Sequence, residues 1–156
     1  MAERVCAECG LRTGAGEPDC AALRDLLLAR DFEYPAPYFG KHRLAVDSYC
    51  VQHSAYVRSA KSLAAHLCGL CVALERDNDR ALLEQLQRWL STNPPLDRPA
   101  LPVHRGGLTI AHVSGIDDPR AYGAAVDEWA RSAWSAYSAH HELARQWLAM
   151  SARGHR

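Results

Sequence analysis

Residues 59–76, SAKSLAAHLCGLCVALER, place Leu63, Leu67, Leu70 and Leu74 at intervals of four, three and four. Those intervals gather the four side chains on one side of a helix, whereas a strand, with its period of two, would scatter them. The stretch therefore predicts an amphipathic helix with its leucine side turned to a core. Within it Cys68 and Cys71 stand about 60° apart around the axis. A zinc knuckle uses a tight turn rather than mid-helix positions, so both thiols are read as small apolar core residues, and Cys50 likewise. The other use of Cys68 and Cys71 is a thiol pair facing a pocket.

The same periodicity extends in both directions. Towards the N-terminus, a second helix spans about Lys41 to His53, and Pro18 and Asp19 signal entry into a first helix over about 19–31 carrying Leu23, Leu26 and Leu27. EYPAPYFG, residues 33–40, is a connector. Towards the C-terminus, Asn78 or Asp79 caps a fourth helix ending near Ser91. Residues 93–107 hold Pro94, Pro95, Pro99 and Pro102 with two glycines, so the 93–118 region reads as a Pro-rich surface connection, with LTIAHV (108–113) a brief extended piece. Pro119 suits the first turn of a last, longest helix over 119–150, whose apolar side includes Tyr122, Val126, Trp129, Ala133, Tyr137, Ala144 and Trp147. The expectation is an all-α domain covering 1–156, a bundle of four to five helices with an N-terminal Cys-rich zinc-knuckle loop, residues 5–20 forming the knuckle and helix start.

Composition narrows the function classes. Hydrophobic residues make up 48% and charged residues 23%, enough apolar surface for a buried core. Eighteen basic residues balance eighteen acidic ones, without the basic excess that phosphate backbones require, so nucleic acid is not expected as a partner. No run reaches the roughly 18 apolar residues of a membrane span, and the N-terminus lacks the apolar core of a secretory signal. A cytoplasmic protein with six reduced cysteines follows as the expectation.

Cys6-Ala7-Glu8-Cys9-Gly10 carries the strongest chemical signal. Two thiolates three positions apart on a tight turn reach one metal ion, and the glycine permits that turn. Cys20, at the start of the first helix, supplies a third thiolate where the helix dipole favours the ionised sulfur. We assign His53 as the fourth ligand, with His42 and His66 as alternatives, and zinc as the metal. A CxxC redox pair would need a thioredoxin-like strand and helix around it, which the helical pattern does not offer.

The histidines suggest a second element of chemistry. His42 and His53 share one side of the second helix, and Asp47 sits on the adjacent side, able to orient a histidine. His66 lies beside the leucine stripe, and the last helix carries His140 and His141. Asp47, His66 and His141 are the candidate catalytic residues of a cleft inside the bundle. Phosphate-loop, dinucleotide, nucleophile-elbow and HExxH signatures are absent.

CxxCG at 6–10, Cys20, His42-Arg43-Leu44-Ala45-Val46-Asp47-Ser48-Tyr49 followed by Gln52-His53, then His66-Leu67, Gly69-Leu70, Trp129, Trp134, His140-His141 and Trp147 together resemble a bacterial family of small proteins built on a domain of unknown function, over nearly the whole chain. A fainter likeness, in bundle architecture and histidine distribution alone, is to DinB-type bundles, in which histidines from separate helices hold a divalent metal and some members transfer low-molecular-weight thiols. Three functions are thereby in view. The first is a zinc-dependent enzyme acting on a small molecule, in its sharpest form a transferase moving thiolate or sulfur in biosynthesis, with a sulfur-donor protein as partner. The second is a non-catalytic helical protein whose structural zinc supports ligand or protein binding. The third is metal-dependent thiol transfer at a histidine-only site, which requires His42, His66 and His140 or His141 to converge.

Overall fold

The computed structural model describes residues 3–154 and is all-α apart from one small hairpin. Strand β1 (Arg4–Val5) pairs antiparallel with β2 (Arg12–Thr13), Arg4 opposite Thr13 and Val5 opposite Arg12. Helix α1 (Cys20–Glu33) follows, its first turn capped by Asp19, which accepts a hydrogen bond from Ala22 N at 2.9 Å. The connector contains a single turn, α2 (Pro35–Tyr38), opened by proline as the first-turn geometry allows. Helices α3 (His42–Gln52), α4 (Ala60–Glu75) and α5 (Arg80–Ser91) lie within a residue or two of their expected limits. Ser59 and Ser62 form a reciprocal capping box on α4, and Asp79 caps α5.

Helices α3 and α4 are the middle of the molecule. Helix α3 packs on α4 and on α6 (Pro119–Ala136), while α4 also packs on α5 and α7 (His141–Arg153). Two apolar clusters result. One joins the leucine stripe of α4 to Trp89, Trp134, Tyr137 and Trp147; the other joins Cys9, Leu11 and Leu27 to Tyr49, Tyr122 and Trp129. Cys68 and Cys71 are fully buried in the first, as core residues should be.

Two expectations are corrected. The helix foreseen over 119–150 is interrupted at 137–140 by a tight single turn, so α6 and α7 are separate. The His141 ring lies against the break: it stacks on Trp134 at 3.8 Å, and its Nε2 lies 2.8 Å from Trp134 O, which also accepts from Tyr137 N at 2.9 Å. LTIAHV is not extended, because Ile110–His112 forms a helical turn that Thr109 caps at Ala111 N. Residues 93–107 carry no regular structure and are tied down at intervals. Arg98 donates to Val57 O at 2.9 Å, and the buried Gln52 amide donates to Arg105 O and Leu108 O, both at 2.8 Å, while accepting from Trp129 Nε1.

Candidate functional site

The hairpin loop is shaped by two backbone bonds, Gly10 N to Cys6 O and Cys6 N to Leu11 O, both 2.9 Å. Gly10 has φ +78°, a left-handed conformation that side chains rarely tolerate. The turn brings the Cys6 and Cys9 sulfurs to one side. Cys20 meets them from the first residue of α1, its Sγ 3.6 Å from that of Cys6. His53 comes from the other direction, at the point where the backbone leaves α3. Its Nδ1 is 2.8 Å from Tyr49 O, so that nitrogen carries the proton and Nε2 presents its lone pair, 3.9 Å from Cys6 Sγ.

All four donor atoms lie within 4.8 Å of one another. Tetrahedral zinc with ordinary bond lengths separates two sulfurs by about 3.8 Å and a sulfur from a nitrogen by about 3.6 Å, which the two separations above match. The donor set, three thiols and one imidazole in the correct tautomer with its other nitrogen bonded to a carbonyl, fits a closed metal centre. Among the described residues it is the one such grouping of His, Cys, Asp and Glu. Burial pushes Cys9 up to about 12 and raises Cys20; burial also works on Cys6, but the backbone amides of Cys9 and Glu8 outweigh it and hold Cys6 below the usual thiol value.

Glu8, inside the knuckle, was given no role by its sequence position. Its carboxylate accepts from Ser54 N at 2.9 Å, beside the ligand His53, and from Arg105 at 3.1 Å. The loop is thus fastened to the end of α3 and to the Pro-rich stretch independently of any metal. Tyr49 joins the centre to the interior, its ring stacked on His53 at 4.0 Å.

Behind Tyr49 lies a cavity of about 310 Å³, lined mainly by apolar side chains such as Leu27, Val46 and Trp129, with Cys50 and His66 in its wall and Arg24 over the rings of Tyr49 and Tyr56. His66 Nδ1 is 2.8 Å from Asp47 Oδ1, so two of the expected catalytic residues do meet. Asp47 is almost wholly buried, its second oxygen 3.4 Å from Arg43. Burial disfavours the imidazolium, but Asp47 and then Cys50 more than offset it and raise His66 to about 10. Asp47 also borders a second cavity of about 410 Å³ with Lys41, Arg43, Arg80 and Arg131, so the pair spans the wall between two hollows. Gly69 makes the span possible: a Cβ there would come within 2.2 Å of Asp47 Oδ2.

The remaining histidines go elsewhere. His141 does not join Asp47 and His66, being committed to Trp134; His140 reaches Ala100 O at 2.8 Å; His42 pairs with the buried Asp31 at 2.9 Å and stacks on Phe39. No histidine-only metal grouping forms among the described residues. The sequence had a signal for Gly69, which stands three residues beyond His66 on α4, one turn along the same side.

A family model covers residues 4–138, described as a family of unknown function, DUF5946. The chain belongs to that family. No match was found among curated proteins, and none among solved structures.

Proposed function

We propose that residues 1–156 form one domain in which zinc held by Cys6, Cys9, Cys20 and His53 is structural, and that the adjoining cavity binds a small molecule on which His66, held by Asp47, acts as acid and base. Bound zinc would supply folding free energy by joining the hairpin to α1 and α3. The observation that carries the proposal is the placement of His66, in the wall of an apolar cavity and 2.8 Å from a buried carboxylate. None of the four metal donors lines that cavity, which separates a zinc-bound thiolate from any molecule inside it and disfavours sulfur transfer from the metal. No helix is long and apolar enough to cross a membrane. The six unpaired cysteines suit a reducing compartment, and we place the protein in the cytoplasm.

The second reading, a non-catalytic protein with a structural zinc, draws on the closed donor set. A thermal-shift screen of neutral small molecules against the zinc-loaded chain separates the two. Enzymatic function requires that a stabilising compound be converted by the wild type and left intact by Asp47→Asn and His66→Gln. Compounds that stabilise all three proteins and emerge unaltered would establish the binding role instead.

A further inference from the structure

Cys50 was expected to be an inert core thiol, and its surroundings differ from those of the other buried cysteines. Cys68 and Cys71 have no exposure, and Cys68 rests against Ala144 O at 3.5 Å, whereas Cys50 borders the 310 Å³ cavity together with His66 and Arg24. Asp47 and Cys50 stand one helical turn apart on α3, and His66 faces both from α4. His66 is oriented by Asp47, so cysteine, histidine and carboxylate follow one another as in nucleophilic sites where a base activates a thiol and a third group positions the base. Cys50 and His66 both stand in the wall of that one cavity, brought there by neighbouring helices.

We propose that Cys50 is a nucleophile for a small, apolar, conjugated carbonyl compound bound in this cavity, with His66 carrying the proton and Asp47 as a positioning residue. The proposal rests on the small-molecule reading of the cavity given above. The lining decides the class of electrophile. A tetrahedral oxyanion needs a set of aimed donors, and the cavity offers His66 and an Arg24 that Asp25 already engages at 2.6 Å. Conjugate addition needs one proton carrier. The Cys50 proton passes to His66 as Sγ forms a bond to the β-carbon, the C=C pair moves to the carbonyl oxygen as an enolate, and the enolate takes that proton from the His66 imidazolium at the α-carbon. Nothing leaves and nothing is oxidised. The cavity volume is at the lower end of the small-molecule range, so a compact molecule is implied.

N-ethylmaleimide, a neutral conjugated imide, tests this on the full zinc-loaded chain, with peptide mass spectrometry following each cysteine at pH 7. Cys50 is expected to be modified at least about tenfold faster than Cys68 and Cys71, and His66→Gln to slow Cys50 by a similar factor; Asp47→Asn, should His66→Gln fail to fold, is expected to slow it as well. Modification of Cys50 at the rate of Cys68 and Cys71, or at a rate unchanged in a folded His66→Gln or Asp47→Asn, overturns the proposal. N-ethylsuccinimide, which lacks the double bond, separates this failure from that of the cavity itself. If it shifts the NMR signals of His66 and Tyr49 while Cys50 stays unreactive, the cavity reading stands and the nucleophile falls; if it shifts neither and Cys50 is inert, both fall.

Discussion

The chain carries the CxxC spacing twice, and the two copies meet opposite fates. Cys6 and Cys9 lie on a hairpin turn whose glycine takes a left-handed conformation, and their sulfurs converge with Cys20 and His53. Cys68 and Cys71 lie inside a regular helix, where one thiol approaches Ala144 O and the other Glu75 at 3.7 Å, each pushed up by burial, Cys71 to about 11. Spacing alone does not define a metal knuckle. The backbone between the cysteines does: the hairpin turn brings Cys6 and Cys9 to Cys20 and His53, whereas the helix carries Cys68 and Cys71 into the apolar core. What α4 gains from its Cys68-Gly69-Leu70-Cys71 run is the glycine, whose missing side chain makes room for Asp47.

The comparison can be broken most severely at the first copy. Cys9→Ser should reduce metal content, measured by elemental analysis, from about one ion per chain to near none, with a loss of several kcal/mol and of hydrogen-exchange protection in the hairpin. Next in size is Gly69→Ala. A methyl group 2.2 Å from Asp47 Oδ2 forces the carboxylate and Arg43 aside, which should cost about 1–3 kcal/mol and return His66 from about 10 towards or below its ordinary value, as NMR titration would show. The same shift sets a pH dependence. A histidine raised on folding contributes stability in full below about 6.5 and loses it as pH rises through about 10, so wild-type denaturant stability should decline across that window and the decline should shrink in the alanine variant. The smallest effect belongs to the second copy: Cys68→Ala should lower stability by about 1 kcal/mol and leave metal content unchanged.

Much of this is legible in the sequence of residues 3–154, for identifiable reasons. The leucine intervals of α4, the caps at Asp19 and Asp79 and the proline at 119 are local signals, and the helices they predict are present. Cys6, Cys9, Cys20 and His53 were readable as a donor set because metal chemistry restricts the residue types so strongly. The failures arose where the deciding partner is remote in sequence. His141 was expected in the cleft, and its direction is set instead by the ended helix before it and the indole of Trp134. Cys50 is buried, as its core reading requires, and only its place in a cavity wall depends on Leu27 and Trp129, residues far from it in the chain. Glu8 gave no warning at all, since its role exists only once Ser54 and Arg105 arrive.

That last contact has a consequence for synthesis on the ribosome. Arg105 follows Glu8 by 97 residues. At about 5–20 residues per second, the interval between the emergence of Cys20 and of Arg105 is about 4–17 s. During it three cysteines are available without the clamp that later fixes their loop, and His53 becomes available about two-fifths of the way through. A nascent chain therefore presents these three thiols to any metal or oxidant before Arg105 engages Glu8, and the order of events during translation bears on which of the two reaches them first.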